Sequence, residues 1–256
     1  MSIKAVIFDL GNTLWMYTGR HDMDAVHHLQ AERLAPLLRD WRVRLDLPLA
    51  DIQRDLWDAY ETAWQIEDAR GGVSEPDRAL IVQGALAGRE VFLSLDQAEQ
   101  WWRTAWVPVR HLGVQLYPDT IDVLRELDEH GVRIAINSNR PCTGDMMQQD
   151  FDDFGMARYI DVAVCSGDTG FVKPHPSTFE LVIEKLVLSP SEIVMVGDSC
   201  ERDCRPAKLL GMTSVLKLNG LYDAKPCAEA DFEIHDLAEL LALPIFDFQH
   251  LHAVFH

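Results

Sequence analysis

Four short segments hold side chains whose types and spacing can do chemistry. In Phe8-Asp9-Leu10-Gly11-Asn12-Thr13-Leu14 a carboxylate follows an apolar run and leads into a glycine-containing turn. Such a turn lets a phosphate meet both a side chain and backbone N–H groups. Asn137-Ser138-Asn139 places a short hydroxyl after a second apolar run, where it can donate to a phosphate oxygen. Gly170-Phe171-Val172-Lys173-Pro174 offers a lysine ahead of a proline-rich turn, a cation able to neutralise an anion. Gly197-Asp198-Ser199-Cys200-Glu201-Arg202-Asp203 sets two carboxylates five positions apart around a turn into a helix. Such an oxygen-rich pair suits Mg²⁺, which takes a few carboxylates and keeps water and substrate phosphate as its other ligands. Taken singly, each segment has a plainer reading. Asp9 and Asp198 can be helix caps, Ser138 can belong to an ordinary turn, and Lys173 and Asp203 can be solvated surface charges.

The elements that must position these residues are legible from periodicity. Residues 3–9, 132–138, 160–166, 192–198 and 213–219 are short apolar runs, the pattern of strands covered on both faces. Helical patterns fill 119–130, 177–186 and 201–210, with Gly131 and Gly211 as stops. This alternation argues for a parallel sheet with helices on both sides. Active sites in such sheets lie beyond the carboxyl ends of the strands, and the four segments fall there. The stretch 15–113 differs. It shows helical periodicity at 21–41, 49–66, 76–87 and 95–106, breaks at Arg70-Gly71-Gly72 and Ser74-Glu75-Pro76, and contains all seven tryptophans. It reads as a helical domain inserted into a core made of residues 1–14 and 114–256. The apolar tail 240–256 suits packing on the core or on another subunit, so monomer and homodimer both stay open.

Composition narrows the partners. The formal net charge of -18 argues against broad contact with nucleic acid or an anionic membrane. A small anionic substrate then requires a metal or local cations inside the site. No run approaches the roughly 18 apolar residues of a membrane span. Residues 3–8 lead straight into a polar turn and read as a strand, not a signal peptide. The five cysteines, Cys142, Cys165, Cys200, Cys204 and Cys227, are odd in number and irregular in spacing. Reduced thiols and a cytoplasmic location are the expectation. Cys200 and Cys204, one helical turn apart, make a poor zinc site without further Cys or His nearby.

In this order the four segments resemble the haloacid dehalogenase superfamily. The resemblance covers the whole chain and is closest at Gly-Phe-Val-Lys-Pro-His-Pro (170–176) and Gly-Asp-Ser-Cys-Glu-Arg-Asp (197–203). The insert is similar to that superfamily's first class of α-helical cap. The resemblance implies an α/β fold: a doubly wound, Rossmann-like parallel sheet with an inserted helical cap. It further implies a Mg²⁺-dependent phosphate-monoester hydrolase acting on a small phosphorylated metabolite, sugar phosphates among them. Asp9 would be the nucleophile, forming an aspartyl-phosphate that water then cleaves. Ser138 would hold the phosphoryl group, helped by backbone N–H groups near Asn12 and Asn139. Lys173 would balance charge between Asp9 and the phosphate. Asp9, the Gly11 carbonyl and Asp198 would bind Mg²⁺, with Asp203 supporting them from behind.

The pattern breaks at Gly11. Phosphatases of the superfamily usually carry there a second Asp, which protonates the leaving group. Such an acid is typically worth about 10²–10⁴ in rate. One reading keeps the phosphatase, with an undemanding leaving group or an acid from elsewhere, His21, His27, His28 and His111 being candidates. A 2-haloacid dehalogenase needs no acid, but Asp198 with Asp203 argues against it. Phosphonoacetaldehyde hydrolysis would need a cap lysine, and no lysine lies between residues 5 and 172. A degenerate binding or assembly module is disfavoured by joint retention of Asp9, Ser138, Lys173, Asp198 and Asp203. The phosphatase reading is preferred. Trp102 and Trp106, four apart, read as helix packing rather than a sugar platform. Arg20, Arg70 and Arg140 are candidates for a second anionic group, against the plainer reading of exposed arginines.

Overall fold

The computed structural model describes residues 2–19, 22–218 and 227–246. The described strands are β1 (Ala5–Phe8), β2 (Trp15–Tyr17), β3 (Val114–Leu116), β4 (Arg133–Ser138), β5 (Val162–Cys165), β6 (Ile193–Gly197), β7 (Thr213–Lys217) and β8 (Phe232–Ile234). Six of them form one sheet in the order β5-β4-β1-β6-β7-β8, every pair parallel. Every residue of β1 and β6 is buried, as continuous apolar runs demand when both faces are covered. Phe8 lies opposite Ile136 of β4 and Val196 of β6. The next residues, Asp9, Asn137 and Gly197, therefore come level at the carboxyl edge. The chain passes from β1 to β4 on one side and later to β6 on the other, so a switch point with its crevice lies at the end of β1.

The flanking helices follow from their apolar stripes. Thr120–Glu129 buries Val123, Leu124 and Leu127. Pro176–Leu186 starts with a proline in its first turn, where no intrahelical donor is lost. Its Phe179, Val182 and Leu186 pack on Ile7, Ala135 and Ile193 of the central strands. The expected strands are present, each shorter by one residue or more at one or both ends. Position 219 lies outside the described residues. The expected helix at 201–210 starts as a π-type turn, Cys200–Cys204, and becomes α-helical only over Arg205–Leu209.

The chain divides into two compact units, Met1–Tyr17 with Val114–His256, and Thr18–Gly113. Residues 15–17 thus group with the sheet-bearing unit, whereas periodicity had assigned them to the insert. The reason is the antiparallel pairing of β2 with β3, three residues each and too short to show alternation. Trp15 is fully buried and packs on Phe154, so it is not part of the helical insert. The second unit has helices Met23–Trp41, Leu49–Ala69, Arg78–Ala87 and Leu95–Ala105, with side-chain caps from Asp22, Asp77 and Ser94. Trp102 packs on Trp57 and Tyr60, with ring centroids 6.0 and 5.6 Å away, which accounts for it as packing. His27 is buried against Gln30 rather than on the surface. Arg20, His21 and residues 247–256 of the tail lie outside the described residues. No described helix is long and apolar enough to cross a membrane.

Candidate active site

Asp9 follows β1, Ser138 ends β4, and Asp198 follows β6. Three adjacent parallel strands thus deliver three polar side chains to one edge. Lys173, between β5 and the helix Pro176–Leu186, completes the group. All four line one cavity of about 870 Å³, together with Gly11, Asn12, Asn139 and Asp203. The Lys173 ammonium donates to Asp9 Oδ1 at 2.7 Å and to Asp203 Oδ1 at 2.6 Å. Burial disfavours its charge, but Asp203 and Asp9 outweigh that and hold its pKa above the ordinary lysine value. Burial pushes Asp203 up to about 7 against the pull of Lys173. Burial, and then the charge of Asp9, also raise Asp198, which Asn12 opposes by donating to Asp198 Oδ2 at 3.2 Å.

Asp203 is only 1% exposed, and the chain uses both its oxygens. Oδ1 accepts from Lys173, and Oδ2 accepts from the Ser199 N–H at 3.0 Å. Gly197 makes this possible. A Cβ there would stand 2.3 Å from the Asp203 carboxylate, closer than any side chain tolerates. Ser199 caps the π-type turn through Arg202 N, so the turn that deforms the helix start is the one that aims Asp203 at Lys173. Asn139 fixes the lysine's backbone reciprocally: it accepts from Lys173 N–H at 2.7 Å and donates to Lys173 O at 3.2 Å.

Two expectations need amendment. Backbone N–H groups near Asn12 were expected to help hold phosphate; Asn12 itself uses its own in the turn. It sits in the left-handed region at φ 57° and donates that N–H to Trp15 O at 2.7 Å, closing the turn. Its nearest role is therefore to orient Asp198. Cys200 was expected to be a free thiol, yet it forms a disulfide with Cys227, 27 positions away. No spacing rule reveals a pair that only the fold brings together. Cys142, Cys165 and Cys204 are free and buried, and burial pushes Cys204 up to about 12. With a disulfide present, cysteine usage no longer argues for one compartment.

Thr13 was not singled out by the sequence, whereas Arg140 was a candidate for a second anionic group. Thr13 Oγ1 donates to Asp9 Oδ2 at 3.4 Å. Arg140, whose plainer reading was an exposed arginine, is 8% exposed and lines the cavity. It donates to Tyr17 Oη at 3.2 Å and lies 5.7 Å from the centre of the Trp15 ring.

The Lys173 pair gives a direct test of what holds the site together. Removing one partner of a buried ion pair typically costs about 3–5 kcal/mol. Lys173→Met should therefore destabilise the metal-free protein by that order. Asp203 can take up a proton and soften the loss, so the loss should be larger at pH 8 than at pH 6. Chemical denaturation at the two pH values checks this, and a smaller loss at pH 8 would contradict it.

Comparison with known proteins fits this geometry. A family model for haloacid dehalogenase-like hydrolases matches residues 3–211. A phosphoglycolate phosphatase of Vibrio vulnificus is 33% identical over 215 residues, which is 77% of this chain and 92% of that one. A phosphoserine phosphatase of Thermus thermophilus is 30% identical over 187 residues, 72% of this chain and 71% of that one. Among solved structures, a 2-haloacid dehalogenase from Pseudomonas syringae pv. Tomato DC3000 aligns with a TM-score of 0.59 at 22% identity. It covers 94% of this chain and 97% of that one, a likeness of fold alone. The chain belongs to the haloacid dehalogenase-like hydrolase family, as an enzyme of its phosphoric monoester hydrolase kind.

Proposed function

We propose that the protein hydrolyses a small phosphorylated metabolite, in the presence of Mg²⁺, through an aspartyl-phosphate on Asp9. The observation that carries this reading is the buried chain of Asp9, Lys173 and Asp203, with Asp198 on the same cavity. The donor set suits the metal: Asp9 and Asp198 supply carboxylates and Gly11 a carbonyl, all oxygen, as Mg²⁺ requires. Burial first, and then the charge of Asp9, raise Asp198, and a cation held by the two carboxylates would offset both. When bound, the metal supplies positive charge to the phosphate oxygens. Lys173 holds one Asp9 oxygen, leaving the other to attack phosphorus. As the P–O ester bond breaks, Ser138 donates to a phosphoryl oxygen and Lys173 balances its charge. Asp203 stays behind Lys173 and fixes it. Water then cleaves the acyl phosphate and restores Asp9. The relatives named for phosphoserine and phosphoglycolate support a small anionic phosphate ester, and sugar phosphates belong to the same panel. The test is phosphate release over such esters with Mg²⁺, with chelator, and with Mg²⁺ restored. Release that survives chelation would overturn the metal requirement.

The carboxylate shifts add a pH test. Asp198 and Asp203 stand above the ordinary value of 3.8, Asp203 at about 7. Between those values the metal-free folded state binds protons that the unfolded chain has released. Its stability therefore falls as pH rises through that window. Mg²⁺ must displace the proton on Asp198, and its charge also disfavours one on Asp203, so its gain in Tm should be larger at pH 8 than at pH 5.5. Thermal melts with and without Mg²⁺ read this directly, and a gain independent of pH would contradict it.

A further inference from the structure

The Cys200–Cys227 disulfide opens on the cavity that holds Asp9 and Asp198. Cys200 follows Asp198 by two positions and begins the turn that carries Asp203. Cys200, Ala228 and Glu229 line the cavity, so a small oxidant or reductant that enters it meets Cys200. Cys227 is 5% exposed behind it. Both redox states have partners ready. Glu229 Oε2 lies 3.6 Å from Cys200 Sγ and 3.7 Å from Cys227 Sγ, an acceptor for either S–H once the bond opens. Arg205 holds the other Glu229 oxygen at 3.0 Å, which keeps the carboxylate in place in both states. The remaining free cysteines, Cys142, Cys165 and Cys204, are fully buried at 0% exposure, so the exposed chemistry is confined to this pair.

We propose that Cys200 and Cys227 are a reversible thiol-modification site, acted on by a small-molecule disulfide, whose state sets how tightly the Asp198–Asp203 turn binds its cation. The inference rests on the Mg²⁺-dependent reading above. Oxidation starts when the Cys200 thiol loses its proton and attacks RSSR, giving a mixed disulfide and one RSH. The Cys227 thiol then displaces the second RSH and closes the protein disulfide. Two thiols are oxidised, one RSSR is reduced to two RSH, and a dithiol reductant reverses the sum. Closed, the bond ties the turn to the segment at residues 227–229, with Cα atoms 5.5 Å apart. Open, the turn loses a covalent support that lies directly behind a metal ligand.

Calorimetric titration of Mg²⁺ into the full chain without substrate tests this, after treatment with oxidised glutathione or with a dithiol. Alkylation and mass spectrometry count the free thiols in each sample. The oxidised protein should carry two fewer reactive thiols. Reduction should weaken Mg²⁺ binding by about tenfold, the low end for lost outer-shell support, and reoxidation should restore it. Cys200→Ser, which removes the attacking thiol and leaves only the buried Cys227, should match the reduced protein and ignore both reagents; chemical reduction of the wild type covers the case in which that variant folds poorly. Equal Mg²⁺ affinity in the two states, or thiols that stay open under oxidant, would overturn the proposal. Absence of Mg²⁺ binding in both states would overturn the metal reading on which it stands.

Discussion

Asp9→Asn should lower phosphate release by about 10⁴-fold or more, the scale seen when a covalent nucleophile is removed, while the fold survives. The amide keeps the shape of the carboxylate and still accepts from Lys173. It loses nucleophilicity and one negative charge. Lys173 keeps Asp203 at 2.6 Å as an anionic partner, so the ammonium is not left buried alone. Asp198 and Asp203 are raised in part by the charge of Asp9, so that strain falls in the variant. The lost Lys173–Asp9 attraction and the relieved carboxylate repulsion oppose each other, and the melting temperature should stay close to wild type. Steady-state phosphate release and a thermal melt on the same preparation check both halves. A folded Asp9→Asn protein releasing phosphate within tenfold of wild type would end the aspartyl-phosphate mechanism.

Much of this site was legible in the sequence because strand ends are legible. The runs before Asp9, Asn137 and Asp198 are continuously apolar, and a parallel sheet brings their carboxyl ends to one edge whatever the detail. The register of Phe8 with Ile136 and Val196 gives that inference its geometry. What the sequence concealed depends on contacts between distant residues. The Cβ-free approach of Gly197 to Asp203 looks like any glycine in a turn. Asn12 offers the same side chain whether its N–H faces solvent or Trp15. Arg140 resembles the surface arginines until the turn after β4 carries it into the cavity wall beside Trp15 and Tyr17. The β2–β3 pair is too short for period-two patterning to show, so Trp15 was grouped with the tryptophans of the insert. Cys200 and Cys227 meet because β7 returns the chain beside the turn after β6, a consequence of topology rather than spacing.

Gly11 governs the second large effect. If no other group takes the place of the missing acid, the leaving oxygen carries negative charge as Asp9 attacks, and the phosphorylation rate should fall steeply as leaving-group pKa rises. Single-turnover rates over phosphate esters of similar size and graded leaving-group pKa measure this. A flat dependence would mean that another group delivers the proton. The backbone at Gly11 allows the reverse experiment. A Cβ there would meet nothing within 4 Å, and the left-handed conformation of this turn falls on Asn12 instead. Gly11→Asp is therefore expected to fold without a backbone penalty. Its new carboxylate would share the cavity with Asp9 and Asp198. Like charges so placed raise a carboxyl pKa, and a proton held nearer neutrality is what a general acid needs. Gly11→Asp should speed poor leaving groups, such as simple alkyl phosphates, by up to about 10²-fold, the lower part of the range for general acids. Activated aryl phosphates, which need no proton, should change little, so the slope against leaving-group pKa should flatten. Equal acceleration of both classes would point to an effect on binding or on the metal. No acceleration of either, in a folded variant, would show that an acid at this position cannot reach the leaving oxygen.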